Sequence, residues 1–442
     1  MGKAGAALGL SVAVLLGSCV QQDTPPNAAH GDADTAAQLE ALGYLEWAEG
    51  EDDLTRFGVL REDPRAGDGV TLYKSRPAPE AQLIDRSGGV LHTWRAPRLD
   101  VEDWRSLVAL VYRRGSKVSW DHIELLPDGD LLAIVKDRHL ERVGWDSSLI
   151  WRARIPAHHD VNVAPDGRIL TFTQRLGELQ TPAGPLPIVD NGIAILSPDG
   201  ELLREISLAA FLGDRVPAER IRAIRDGDAG LSEISAKDLL NLRDVFHANS
   251  IELLSRDVEG LGAAGQALIS VRELDLVAVL DLDTLELVWE WGPGEIDRQH
   301  HPSLLPNGNV LLFDNGASRG YSRILEVEPG SLQIAWQYRA SPPQAFFSRT
   351  RGSVQWLPGD HFLISDSNSG RALEIDRSGA VLWEFLNPDI DRFKGKRGAF
   401  YRVERLSPER LAALPLRARE GSSGPAGAPT RNRWATSNEG KP

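Results

Sequence analysis

At 442 residues, 42% hydrophobic and 25% charged, the chain is long enough for one large domain or two to three smaller ones with a substantial core. Its formal net charge of −14 argues against nucleic acid as a partner and means that an anionic substrate must be received by a local positive site. A single cysteine, Cys19, excludes a disulfide framework and a cysteine metal site from the body of the chain.

The first element in chain order is a processing signal. Lys3 precedes an apolar stretch, Ala6 to Leu16, too short to span a bilayer, so residues 1–18 have signal-peptide form. Leu16-Gly17-Ser18-Cys19 resembles a bacterial lipobox, in which the cysteine becomes the lipidated first residue. Two or three acyl chains anchor firmly where one is marginal. An ordinary secretory signal with a chance cysteine is the second reading. Val20, not Asp, follows the cysteine, so the expectation is a periplasmic lipoprotein of the cell envelope, anchored in the outer membrane. Without residues 1–18 the balance is 48 basic against 63 acidic side chains, or −15. Residues 19–38 read as a flexible tether, and residues 39–68 as a short helical lead-in, with one helix over 36–48.

From residue 69 onward apolar runs and turn signals recur every few tens of residues, the mark of an array or propeller. The fullest unit is His122–Leu126, a turn at Pro127-Asp128-Gly129, Leu131–Val135, a second turn, Leu140–Val143 and Ser148–Trp151. Four short strands joined by hairpins are the content of one propeller blade. The same order fits 159–206, 247–292, 300–339 and 352–387, and the last strand carries a tryptophan at Trp94, Trp151, Trp289, Trp336 and Trp383. These tryptophans read as packing between blades. The first unit, Gly69–Lys74, Ala81–Asp85 and Val90–Trp94, has only three strands, whereas Tyr401–Pro408 has the phase of Asp121–Pro127. The fold expected is therefore an all-β, six-bladed propeller over residues 69–406, closed by a C-terminal strand that becomes the innermost strand of the first blade. Residues 207–244 interrupt it with helical spacing and a cap at Ser235, either as a lid or as a plain surface helix pair. Residues 407–442 form a C-terminal tail, Gly-, Ser-, Pro- and Ala-rich after Arg419 and expected to be largely disordered.

Because innermost strands line a propeller's channel, the residues opening each repeat should converge on one face. They are Asp121/His122, His159 (with His158 adjoining), His247, His300, Gly352 and Tyr401/Arg402; the next strands add Arg272 and Asp314-Asn315. Imidazoles without acidic partners can bind a metal such as zinc. Imidazoles around a guanidinium suit an anion such as phosphate or sulfate, and an uncharged imidazole can act as nucleophile. A lone histidine such as His122 or His158 reads as a satisfied core residue; three repeat-phased histidines with an arginine do not.

His247-Ala248-Asn249-Ser250, Ser270-Val271-Arg272, Gln299-His300, Phe313-Asp314-Asn315-Gly316 and Ser322-Arg323 occur in that order. With the repeat over 69–406, this set resembles the bacterial arylsulfate sulfotransferase family, which is built on a six-bladed propeller. The resemblance implies transfer of a sulfuryl group from an aryl sulfate donor to a phenolic acceptor, with no nucleotide donor, no cofactor and no metal, through a sulfohistidine. It implies His300 as nucleophile, since His300 and not His301 keeps the family's spacing to Leu305-Pro306-Asn307-Gly308. It further implies Arg272, His247 and Asn249 on the sulfate oxygens, His159 as a further catalytic histidine, and Gln299, Asn315 and Arg323 on the substrate side. Phe246, Phe346, Phe347 and Tyr321 read equally as phenol contacts or as core. The chain departs from better-known members in lacking a sizeable N-terminal β domain and a structural disulfide. Two other readings stay open: a metal-dependent lyase or hydrolase using His159, His247 and His300, and a non-catalytic envelope lipoprotein scaffold.

Overall fold

The computed structural model describes residues 47–48, 53–76, 78, 80–97, 120–229, 236–392 and 395–416. Residues 1–18, Cys19, the tether, most of the lead-in helix, Ser235 and the tail beyond residue 416 lie outside the described residues.

Six antiparallel sheets of four hairpin-linked strands form the body. The second to sixth run in simple sequence order: His122–Leu125 to Leu149–Ala153, Ala157–Val163 to Leu202–Ser207, Ala248–Leu253 to Glu286–Trp291, His300–Leu304 to Gln333–Tyr338, and Ser353–Leu357 to Val381–Leu386. Blade 1 is made from both ends of the chain: Phe400–Arg405 pairs with Thr71–Ser75, followed by Glu80–Ile84 and Val90–Arg95. The expected ring closure is thus observed, and it leaves no free edge between the first and last blades. At the Pro-Asp-Gly and Pro-Asn-Gly turns the glycines Gly129, Gly167 and Gly308 stand at φ between +85° and +95°, which a side chain rarely tolerates.

The core is divided as the ring requires. Six buried apolar clusters each fill one interface between neighbouring blades, for example Ile84, Leu363, Trp383, Phe385 and Phe400 between blades 6 and 1. A second device recurs around the rim. The fourth strand of every blade breaks register once, and the residue at the break is His92, Trp151, Arg204, Trp289, Trp336 or Trp383. Each reaches the turn between the third and fourth strands of the next blade. Trp289, Trp336 and Trp383 donate indole N–H groups to the Pro329, Arg377 and Arg86 carbonyls at 3.2, 3.2 and 2.9 Å. Arg204 donates to the Leu282 carbonyl at 2.8 Å, so the blade without a tryptophan keeps the tie with a different donor. His92 Nε2 does the same toward the Trp145 carbonyl at 3.0 Å, and the Trp151 ring lies against Gly200. Trp94 is a further inter-blade contact, donating to the Gly129 carbonyl at 3.1 Å.

Two segments lie outside the repeat. Residues 53–68 contain no helix, contrary to the expected helical lead-in: Gly58–Glu62 is a strand that pairs with Val381–Leu386 and makes a fifth strand on blade 6. The 207–244 segment is helical, with Ala209–Leu212, Ala218–Ala229 and Ala236–Arg243. It buries Leu208, Leu212, Val216 and Ile224 against blades 3 and 4. Arg225 ties it to the Gly184 carbonyl at the tip of blade 3, whose middle strands are lengthened to 11 residues. Its end brings Asp244 to the head of blade 4.

Candidate active site

Spacing along the innermost strands sorts their polar residues into layers. Glu124, Asn162, Glu252, Ser303, Gln355 and Glu404 hold equivalent places just before each turn. Two residues earlier come His122, Asp160, Ser250, His301, Ser353 and Arg402, and these form a middle layer: Asp160 meets His122 at 3.2 Å and Arg402 at 3.1 Å. His159, His300 and Tyr401 stand three residues earlier, not two. That extra residue is a β-bulge. The inner strands of blades 1, 3, 4 and 5 break register near Tyr401, His159, Asn249 and His301, whereas those of blades 2 and 6 pair without interruption. A bulge re-aims side chains, and the four bulged blades supply the upper layer. His122, on a regular strand, belongs to the layer beneath. The turned backbone is visible at His159, His247 and His301, with φ of +61°, +47° and +52°. Non-glycine residues held there cost about 1–3 kcal/mol, a cost that is concentrated at functional sites.

The upper layer is knit across blades. Asn249 Nδ2 donates to the Gln299 carbonyl at 2.9 Å, Tyr401 Oη donates to the Asn249 carbonyl at 3.3 Å, and His247 Nε2 lies 3.1 Å from His159 Nε2. His300 is buried, and its tautomer follows from its neighbours. Asn315 Nδ2 donates to the Ser348 and Arg351 carbonyls at 2.6 and 2.7 Å, which turns Asn315 Oδ1 toward His300 Nδ1 at 2.8 Å. The Arg298 carbonyl is also 3.1 Å from Nδ1. Two acceptors at Nδ1 place the proton there and leave Nε2 with its lone pair. His301 sits in the middle layer, its Nδ1 2.9 Å from the Val354 carbonyl.

His159 and His247 belong to a longer chain. His247 Nδ1 is 2.5 Å from Asp244 Oδ2, His159 Nδ1 is 2.5 Å from His158 Nδ1, and His158 Nε2 is 3.2 Å from the Thr173 carbonyl. His158 and His159 therefore both take part, with His159 facing the site and His158 behind it. Asp244 is not among the residues that open the repeats. The Asp244-x-x-His247 spacing was the available signal. Asp121 is instead ion-paired with Arg76.

Arg272 is buried beside this chain. Its Nη2 and Nε meet Glu273 Oε1 at 2.7 and 3.2 Å, Arg298 pairs with the same oxygen, and Arg220 Nη2 lies 3.7 Å from Oε2. Arg272 therefore shares the Glu273 carboxylate with two other guanidinium groups, so Glu273 alone does not cancel its charge. Three residues expected on the substrate side are engaged with the protein. Gln299 Nε2 donates to Ser270 Oγ and to the Leu276 carbonyl at 3.0 and 2.8 Å, and Asn315 is saturated as above. Arg323 grips Asp314 at 2.6 Å and the Glu295 carbonyl at 2.9 Å. These contacts hold blades 4 and 5 in place and engage Arg323 and both ends of the Asn315 amide, whereas the buried Gln299 Oε1 has no hydrogen-bond partner among the described residues. Phe246 and Phe346 are core, with 0% and 1% exposure. Among the described residues no three His, Asp or Glu side chains are grouped to hold a metal ion.

Burial sets the charge states. It holds His159 and His247 well below the ordinary imidazole value, aided for His247 by the Arg272 cation and for His159 by Lys136. Burial and then Arg272 bring His300 down to about 3, burial and then Lys136 bring His158 to about 4, and burial with Arg402 lowers His122. All five imidazoles are neutral in the folded protein near neutral pH. The sign of the linkage follows. Above about pH 6.5 neither the folded nor the unfolded chain protonates them; below it the unfolded chain gains protons and the folded chain resists. Stability is therefore present above about pH 6.5 and lost as pH falls toward 3–4, by up to about 1.4 kcal/mol per pH unit for each such histidine. Calorimetry should show the unfolding midpoint dropping steeply between pH 7 and pH 5. A flat midpoint there would mean that the histidines are not buried as neutral groups.

A model of the arylsulfotransferase (ASST) family matches residues 122–388, which span every histidine of the upper layer together with Arg272. No curated protein gives a significant match. Among solved structures, a protein of unknown function from Bacteroides caccae is 12% identical with a TM-score of 0.48, covering 76% of this chain and 98% of its own. Selenomethionine-substituted virginiamycin B lyase from Staphylococcus aureus is 10% identical with a TM-score of 0.42, covering 78% of this chain and 88% of its own.

Proposed function

The chain belongs to the arylsulfotransferase (ASST) family, and from that premise we propose that it moves a sulfuryl group from an aryl sulfate ester to a phenolic acceptor through a sulfohistidine on His300. The observation that carries the reading is the state of His300: buried, neutral, protonated on Nδ1 by its bonds to Asn315 and the Arg298 carbonyl, and so nucleophilic at Nε2.

In the first half-reaction His300 Nε2 bonds to sulfur as the bond from sulfur to the aryl oxygen breaks. Arg272 meets the negative charge gathered on the sulfuryl oxygens, with Asn249 and the His159–His247 pair beside it, since fixed donors in a water-poor site cost no reorganisation when the charge develops. One imidazole of that pair protonates the departing phenolate and later takes the proton of the acceptor phenol. Gln299, Asn315 and Arg323 position the strands that hold His300. The reaction needs no nucleotide and no cofactor. The proposal includes the envelope setting: removal of residues 1–18, lipid on Cys19, and a tether holding the propeller on the periplasmic side of the outer membrane.

The test is to incubate the protein with 4-nitrophenyl sulfate, with and without phenol. Nitrophenolate release that accelerates with phenol, together with a sulfuryl adduct in the intact mass when phenol is withheld, is the expected result. No release and no adduct would end the proposal.

A further inference from the structure

The hydrogen bonds of the His158 chain fix where its protons lie. The Thr173 carbonyl can only accept, so His158 carries its proton on Nε2 and offers Nδ1 as a lone pair. His159 must then donate from Nδ1 and present Nε2 as a lone pair. His247 must donate from Nε2 toward it, which leaves Nδ1 of His247 bare against Asp244 Oδ2 at 2.5 Å. With every imidazole neutral, a hydrogen bond at that last contact requires a proton on Asp244. The count combines these contacts with the neutrality that burial imposes on the imidazoles, and burial likewise raises Asp244 as it lowers His247. The charged and titratable groups facing Asp244 are Arg272, His158, Lys136, Arg220 and Asp137, besides His247.

We propose that Asp244, delivered by the end of the helical insertion, is a positioning residue that stores the proton released to the leaving group through His247. The proposal rests on the sulfotransferase reading and adds the source of the acid. As His300 Nε2 forms its bond to sulfur and the sulfur–oxygen bond breaks, the electron pair stays on the phenolate oxygen. That oxygen takes the proton on His247 Nε2, and His247 Nδ1 takes the proton on Asp244. The aryl sulfate anion gives a neutral phenol, the sulfuryl group rests on His300 as a net-neutral zwitterion, and the negative charge ends on the Asp244 carboxylate. An acceptor phenol reverses the path: its proton enters at His247 Nε2, Asp244 is reprotonated, and its oxygen bonds to sulfur as the nitrogen–sulfur bond breaks. The insertion thereby has a chemical task as well as a packing one.

Leaving-group acidity separates this role from a structural one. A nitrophenolate departs without help, whereas an unsubstituted phenolate needs the proton. Asp244→Asn keeps the shape and can hold His247 in place but has no transferable proton. It should lose about 100-fold in kcat with phenyl sulfate and about threefold with 4-nitrophenyl sulfate. Asp244→Glu should recover part of the phenyl sulfate rate. Equal losses on both donors, or no loss on either, would overturn the proposal, and activity with the nitrophenyl donor shows that the variant is folded. Wild-type protein inert toward both donors would instead overturn the sulfotransferase reading, and the relay with it.

Discussion

Replacing His300 with alanine is expected to abolish the sulfuryl adduct and to lower transfer from 4-nitrophenyl sulfate by about 10⁴-fold or more, the scale seen when a covalent nucleophile is removed. The neighbouring His301→Ala should keep most of the activity. Both side chains are imidazoles on one short strand, yet the bulge between them separates their fates. His300 turns into the upper layer with Asn315 behind it, and His301 drops to the layer of Asp160 and Arg402. Nothing else in the upper layer substitutes for His300. In the resting protein His247 Nε2 directs a proton at His159 Nε2, and the two Nδ1 atoms are held by Asp244 and His158. Intact-mass measurement on the two variants, with and without acceptor, reads the difference directly. An adduct that survives in His300→Ala and vanishes in His301→Ala would move the nucleophile to the other histidine.

That contrast also shows what the linear chain makes legible. Pro-x-Gly turns and the missing first strand gave the ring and its closure through Tyr401–Leu406, because hairpin turns and period-two apolar runs are local signals. The spacing of His300 to its turn distinguished it from His301. Spacing also held the unread reason that His122 stands apart: one residue fewer between it and Glu124 means no bulge. What stayed hidden depends on contacts distant in sequence. Gly58–Glu62 becomes a strand only because the outer edge of Val381–Leu386 is there to receive it. Arg323 reads as a substrate ligand until Asp314 is seen to occupy it. Asp244 follows the last helix of the insertion and is bridged to Val189 of blade 3, a pairing that local sequence does not disclose even though the Asp244-x-x-His247 spacing is local. The rim ties at His92 and Arg204 carry no tryptophan signal, since the position requires an N–H donor of sufficient reach and not one residue type.

Arg272→Ala should fall by about 10²–10³-fold in kcat/KM, the scale for losing one preorganised donor to developing charge. Arg272→Lys should restore only part, because an ammonium group supplies charge without the planar fork that matches two oxygens. The loss has a second signature. Arg272 is the leading charge that holds His300 low, after burial itself, and it depresses His247 in the same way. Removing it lets both imidazoles rise from their depressed values toward the ordinary one. A protonated His300 has no lone pair at Nε2, so the acid limb of the pH–rate profile should move to higher pH in Arg272→Ala and stay near its original place in Arg272→Lys. Glu273 sharpens the expectation. Once Arg272 is gone, that carboxylate keeps Arg298 and Arg220 as partners but has one cation fewer beside it, so binding of an anionic donor should weaken as well. A rise in KM with an unmoved acid limb would mean that Arg272 only binds the donor and does not set the charge state of the nucleophile; a moved limb with a depressed kcat assigns it both tasks.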